Sequence, residues 1–113
     1  MNLSEDAKKI VDDSNFKPEL ENAIQKTKDL LEVQGIKPTE LQWTILINHL
    51  NEMISRSKRD EKMTGVAPVM FEEVSQEALG IAEALVDHIG NLTKDEMYVL
   101  SIHFEAAKQN VAE

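Results

Sequence analysis

Apolar residues recur along most of this chain at spacings of three and four, the period of an amphipathic α-helix. The spacing is clearest after residue 18, where one face would carry Leu20, Ile24, Thr27 and Leu31. Pro18 suits the first turn of a helix, and Gly35 suits the position just after its end. The pattern therefore predicts a helix from about Pro18 to Gly35.

Two further helices are predicted in the middle of the chain. The first runs from about Pro38 to Arg56, and its apolar face consists of Leu41, Ile45, Leu46, Leu50 and Met53. A polar loop follows from residue 57 to about Pro68. The second runs from about Glu72 to Ile89, and its inward residues are Ala78, Ile81, Ala82, Leu85 and Ile89.

The last helix has the clearest start signal. Thr93 is followed three residues later by Glu96, which is the spacing of a capping box, and Leu92 and Met97 are spaced as a hydrophobic staple. The stripe behind this start consists of Met97, Leu100, Phe104, Ala107 and Val111. We expect this segment to be the closing helix of the fold.

The N-terminal residues 1–15 are weakly patterned and form either an extension or a short helix. Its candidate inward residues are Leu3, Ala7, Ile10 and Val11. No segment has the alternation of a β-strand. The chain is therefore expected to be all-α, a compact bundle of about five helices, with residues 16–113 as its single domain.

Composition narrows the classes of function that are expected for this chain. The 113 residues include 12 basic and 21 acidic ones, for a net charge of -9, so direct binding of nucleic acid is not expected. There is no cysteine, no signal-peptide profile and no apolar run of the roughly 20 residues that span a bilayer. We expect a soluble cytoplasmic protein that has no metal or cofactor and does not bind membranes.

Histidine is the side chain that titrates near neutral pH, and the chain has His49, His88 and His103. His49 is predicted to lie mid-helix, with Arg56 two turns later on the same side. A nearby guanidinium lowers an imidazole pKa and offers paired donors to a phosphoryl group. By spacing alone, an ordinary packed helix histidine followed by a solvated charged loop is the favoured interpretation, since helix histidines are usually structural.

The other histidines have plain structural interpretations. His103 suits a half-buried residue hydrogen-bonded to a neighbouring helix, and His88 suits the C-terminal turn of its helix, where a cation is favoured. The chain has no nucleophile-elbow motif, no phosphate-binding glycine loop and no HExxH motif. An enzyme that uses His49 as a base is the least supported reading, so we expect a protein that is not an enzyme.

Two segments together resemble the PTS regulation domain (PRD) family. Residues 47–56 are similar to its first signature, a histidine on a helix with an arginine seven residues later. Residues 92–104 are similar to its second, in which an acidic pair opens a helix and an aromatic-x-Leu-x-x-His run follows. The resemblance covers about residues 16–110. The family usually has Asp before the first histidine, where this chain has Asn48.

The resemblance implies a five-helix, homodimer-forming bundle that regulates transcription or a partner protein in response to the sugar phosphotransferase system. His49 and His103 would accept phosphoryl groups from phosphocarrier or enzyme II proteins, and Arg56 and Asn48 would be the residues that support the phosphoryl group. The alternative is a helical dimerisation or protein-interaction module that is not phosphorylated, and Asn48 favours that alternative.

Overall fold

Five α-helices and no strand are found in the computed structural model, which describes residues 4–65 and 72–110. In chain order they are α1 (Glu5–Asp13), α2 (Lys17–Gln34), α3 (Glu40–Lys58), α4 (Gln76–Ile89) and α5 (Asp95–Lys108). The expected all-α bundle of about five helices is confirmed. The short N-terminal helix is formed, and its Ala7 and Val11 lie in the core.

Helix α3 is the centre of the bundle, because it packs against each of the other four helices. The α4–α5 pair and the α2–α4 pair complete the packing around it. The largest fully buried apolar side chains are Leu20, Leu31, Leu46, Ile47, Leu50, Met53, Ile54, Leu85, Leu100 and Phe104. Burial of each such side chain contributes about 1.5–3 kcal/mol to the free energy of unfolding.

The predicted inward face of α2 is confirmed, including its one polar member. Thr27 is fully buried, and its hydroxyl donates a hydrogen bond of 2.7 Å to the carbonyl of Ala23. The helix ends at Gly35, which has a φ of 67° and whose N–H donates to the carbonyls of Glu32 and Leu31. A residue with a side chain rarely adopts this left-handed conformation, so glycine is favoured there.

The predicted inward face of α3 is wrong at two positions. Leu41 is 69% exposed and Ile45 is 48% exposed, whereas Trp43, Ile47 and Ile54 are buried in their place. Four neighbouring helices surround α3, so its buried face is broader than one stripe and is rotated away from Leu41 and Ile45. These two residues remain as an apolar strip on the surface.

The capping box predicted at Thr93 is also wrong. Helix α5 begins after Lys94 without a side-chain cap, because the Thr93 hydroxyl donates instead to the carbonyl of Met63 at 2.6 Å. A capping box does occur at the start of α3, where Thr39 and Gln42 each accept a hydrogen bond from the backbone N–H of the other. The predicted core positions Leu3 and Val111 and the loop end at Pro68 lie outside the described residues.

No helix among the described residues is both long enough and apolar enough to cross a bilayer. The apolar residues of the helices are directed mainly into the bundle interior, which is the arrangement of a packed core.

Candidate functional site

His49 and His103 are brought together by the packing of α3 against α5. Nδ1 of His49 lies 2.9 Å from Nε2 of His103, and the two ring centroids are 4.9 Å apart with a tilt of 59° between the planes. Each histidine directly precedes a fully buried residue, Leu50 on α3 and Phe104 on α5. These buried neighbours fix the two helix faces, and the imidazoles meet at the edge of the core.

The contact between the rings is a hydrogen bond, in which the donor depends on the tautomer. Both histidines are half-buried, and burial disfavours the charged form of an imidazole. The pKa of His49 falls from 6.5 to about 4, first because of burial and then because of the nearby charges of His103 and Arg56. Burial also lowers the pKa of His103. At pH 7 both rings are therefore neutral, and each keeps one nitrogen lone pair.

The outward nitrogens of the pair are His49 Nε2 and His103 Nδ1. In the described part of the chain, every fully buried side-chain nitrogen or oxygen has a hydrogen-bond partner. The hydrogen bonds seen for these two rings use only His49 Nδ1 and His103 Nε2. It follows that neither outward nitrogen is fully enclosed by the bundle.

Arg56 lies two turns after His49 and is held by Glu96. Its Nε donates to Oε2 of Glu96 at 2.7 Å, and its Nη2 donates to Oε1 at 2.8 Å, so the carboxylate is bound by two parallel hydrogen bonds. Glu96 is fully buried, and the Arg56 side chain is 18% exposed. The hydrogen bond to Glu96 is the main reason that the pKa of Arg56 is raised. The guanidinium acts on His49 through its charge, while its paired donors are engaged by Glu96.

Glu96 has a role that its local spacing does not predict. Its position three residues after Thr93 suggested a capping role, yet its carboxylate points into the bundle toward Arg56. One signal was available in the sequence. Arg56 lies in the last turn of an apolar helix, and a guanidinium buried there would need a carboxylate from another helix. The sequence gives no means of choosing that carboxylate among 21 acidic residues.

Asn48 and the basic loop are directed elsewhere. Asn48 is exposed, and its amide donates to Glu52 at 3.4 Å. The three basic residues after Arg56 form exposed ion pairs, Lys58 with Glu19, Arg59 with Glu61, and Lys62 with Asp60. These pairs locally offset the positive charge that the sequence concentrates there.

His88 is separate from the pair. It is exposed in the last turn of α4, as expected for a histidine at a helix C-terminus. Among the described residues, no group of three or more histidine, aspartate or glutamate side chains is arranged to hold a metal ion. The chemistry available at the α3–α5 contact is therefore that of two neutral imidazoles beside a buried ion pair.

Comparison with known proteins identifies a family and a similar solved structure. The PRD domain family matches residues 21–107. The crystal structure of a PRD-containing transcription regulator from Lactobacillus casei is similar over 98% of this chain and 99% of that one, with 40% sequence identity and a TM-score of 0.91. A search of curated protein sequences gave no match. The matched range includes His49, His103, Arg56 and Glu96.

Proposed function

This chain belongs to the PRD family, and on that premise we propose that it is a phosphohistidine-accepting module in which His49 and His103 are the acceptors. PRD domains are regulatory modules of transcription regulators linked to the sugar phosphotransferase system, and this chain is a module of that type. The proposed donors are the phosphocarrier or enzyme II proteins of that system.

The observation that carries the proposal is the histidine pair itself. Two neutral imidazoles share one hydrogen bond of 2.9 Å, and each has a second nitrogen that is neither fully enclosed nor hydrogen-bonded to a described residue. A neutral imidazole with a free lone pair is the form that attacks a phosphoryl group. A packed structural histidine would need no such access, so the arrangement favours phosphoryl acceptance over a role in packing alone.

Arg56 is proposed to support the acceptor by charge. Its guanidinium contributes to the lowered pKa of His49, which keeps that ring neutral and nucleophilic at pH 7. The same positive charge favours the roughly two negative charges that a phosphoryl group adds. Asn48 is proposed to assist as a neutral neighbour, since an amide at this exposed position does not repel the incoming anion as a carboxylate would.

The direct test is phosphorylation by the purified phosphocarrier relay with phosphoenolpyruvate, followed by intact mass at alkaline pH, where phosphohistidine survives. We expect the wild type to gain a phosphoryl group and the His49→Asn, His103→Gln double variant to gain none. The His88→Gln variant is the matched control, because it removes an exposed imidazole outside the pair, and it should be modified like the wild type.

Two results would contradict the proposal. The first is a wild-type chain that stays unmodified under conditions that phosphorylate another PRD domain. The second is a double variant that is modified as fully as the wild type, since that would place the acceptor elsewhere. In the first case the chain would be better described as an interaction module without phosphoacceptor chemistry.

Homodimer formation is the second part of the proposal. Leu41 lies about two turns and Ile45 about one turn before His49 on the same side of α3, and both are exposed. On α5, Ile102 is 48% exposed and directly precedes His103. We assign this apolar surface around the histidine pair to contact with a second copy of the chain, so that a phosphoryl group on either ring would lie beside the interface.

The Ile45→Glu variant is expected to weaken self-association, because it places a charge in the proposed interface without a partner. The dimer dissociation constant should rise at least about tenfold, which corresponds to about 1.4 kcal/mol. Sedimentation equilibrium measures the change. Val33→Glu is the control, since Val33 is 82% exposed on α2 and lies outside this surface. Equal association of Ile45→Glu and wild type, or a wild type that stays monomeric, would exclude the assignment.

A further inference from the structure

We propose that His49 and His103 form a single acceptor site that holds one phosphoryl group at a time, and that the unphosphorylated ring takes the proton which the attacking ring releases. This inference rests on the proposed function and extends it. It follows from the use of His49 Nδ1 and His103 Nε2 in the shared hydrogen bond, which leaves His49 Nε2 and His103 Nδ1 outward.

The shared hydrogen bond couples the tautomers of the two rings. If His49 Nδ1–H donates, its outward Nε2 has the lone pair, while His103 accepts at Nε2 and carries its proton on the outward Nδ1. If His103 Nε2–H donates, the assignments reverse. A neutral imidazole has one N–H and one acceptor nitrogen. One outward nitrogen of the pair is therefore nucleophilic and the other is protonated in either arrangement.

In the transfer step, every bond that forms is matched by one that breaks, and each proton has an acceptor. The lone pair on the outward nitrogen of the first ring forms a bond to the phosphorus of the donor's phosphohistidine, and the donor's own N–P bond breaks. The donor imidazole leaves with that electron pair and takes a proton from solvent. The attacking ring gives its inner N–H proton to the inner nitrogen of the second ring across 2.9 Å.

The product disfavours a second transfer. After the step, the second ring carries protons on both nitrogens, and it regains a lone pair for attack only by losing its outward proton to solvent. Its attack would then place a second phosphoryl group on a ring whose centroid lies 4.9 Å from that of the first, where the negative charges of the two groups repel each other. If the first ring instead keeps its inner proton, the second ring can expose an outward lone pair only by moving its own proton inward. Two N–H groups would then face each other across 2.9 Å, and the hydrogen bond would be lost.

Burial sets the charge balance of this product. Both rings are half-buried, so an isolated imidazolium is disfavoured there. A phosphoryl group on the neighbouring ring supplies the compensating negative charge next to the new cation. The paired donors of Arg56 are engaged by the buried Glu96 carboxylate, so the imidazolium supplies a local counter-charge in addition to the more remote guanidinium. The cation is therefore stable only while its partner is phosphorylated.

Nitrogen-15 NMR of the imidazole side chains tests the coupling in the unmodified full chain. Ring nitrogen shifts distinguish an Nδ1–H from an Nε2–H tautomer. We expect the two rings to have the same tautomer populations, because both arrangements place the protons on equivalent nitrogens of the two rings. Different tautomers in the two rings would overturn the coupling whether or not the chain is phosphorylated.

Intact mass and phosphorylation rates test the single occupancy. At saturation with the phosphocarrier relay, the doubly modified chain should be at least about tenfold less abundant than the singly modified chain, since the second ring must first lose its proton and the two phosphoryl groups repel each other. The His103→Gln and His49→Asn variants keep an acceptor at the vacated position, but an amide does not take the proton. Each should be phosphorylated about a hundredfold more slowly than the wild type.

The outcomes separate this inference from the proposed function. A doubly phosphorylated wild type would overturn single occupancy and leave the proposed function intact. Single variants that retain about half of the wild-type rate would show that charge repulsion alone limits occupancy, and would overturn the proton-transfer role. A wild type without any modification would overturn both, and circular dichroism of each variant shows that its fold is retained.

Discussion

The Glu96→Gln variant is expected to be less stable than the wild type by about 2–4 kcal/mol, because it leaves the Arg56 guanidinium without its carboxylate. Glu96 is fully buried and binds Arg56 through two hydrogen bonds of 2.7 and 2.8 Å. An amide retains the shape of the side chain but removes its charge and one of the two acceptors. Denaturant unfolding at pH 7 measures the loss of free energy.

The matched control for this variant is Glu77→Gln. Glu77 pairs with Lys108 between α4 and α5 at 3.3 Å, and both side chains are more than one-third exposed. An exposed pair of this kind contributes about 0–1 kcal/mol, so the control should remain close to the wild type. Equal effects of the two substitutions would show that the buried pair has no special weight in the stability of the bundle.

A companion substitution tests the origin of the loss. Replacing both members of the pair with apolar residues of similar volume, as in Arg56→Met with Glu96→Leu, removes the unpaired charge as well as the pair. We expect the double variant to recover most of the free energy lost in Glu96→Gln. A double variant less stable than the single one would indicate that the pair is intrinsically stabilising.

The second large effect is the dependence of stability on pH through His49. The pKa of this ring falls from 6.5 to about 4 on folding, so between these values the unfolded chain binds more protons than the folded chain. Stability is therefore complete above the unfolded pKa of 6.5 and is lost as the pH falls toward the folded value of about 4. At pH 5 the loss from this ring is about 2 kcal/mol.

The measurement compares the wild type with His49→Asn at pH 7 and pH 5. Carboxylates titrate in both chains, so their contributions cancel in the comparison, and the wild type should lose about 2 kcal/mol more than the variant. His88→Asn serves as the control for removal of an exposed imidazole. Parallel pH curves for the wild type and His49→Asn would contradict the lowered pKa of His49.

Local sequence was sufficient to predict the helices, because the apolar spacing and end residues that mark a helix lie within a few turns of one another. The apolar spacing of Leu20, Ile24 and Leu31, with Gly35 at the end, predicts α2 to within a residue or two. Periodicity failed at Leu41 and Ile45, where it could not indicate that four helices would pack around α3 and rotate its buried face. Amphipathic period gives the type of element, whereas the set of neighbours decides which residues are covered.

The histidines likewise separate what the sequence predicts from what only the tertiary structure shows. The positions of His49 and His103 on two helices and their similarity to the family signatures can be read along the chain, and the family and the all-helical fold predicted from them are confirmed. Their role as phosphoryl acceptors stays a prediction. The hydrogen bond between rings separated by 54 positions, and the withdrawal of Arg56 toward Glu96 across 40 positions, were not readable. Local spacing had instead assigned Glu96 to a helix cap.

The sequence by itself thus determined the helices and their approximate ends, since these depend on neighbours within a few turns. Composition determined the acidic charge, and the residue types and their spacing indicated the candidate chemistry. Only the tertiary structure decided that His49 and His103 share a hydrogen bond with their other nitrogens outward, and that Glu96 binds Arg56. These pairings depend on the distances between α3 and α5, which are fixed when the helices pack around a common core.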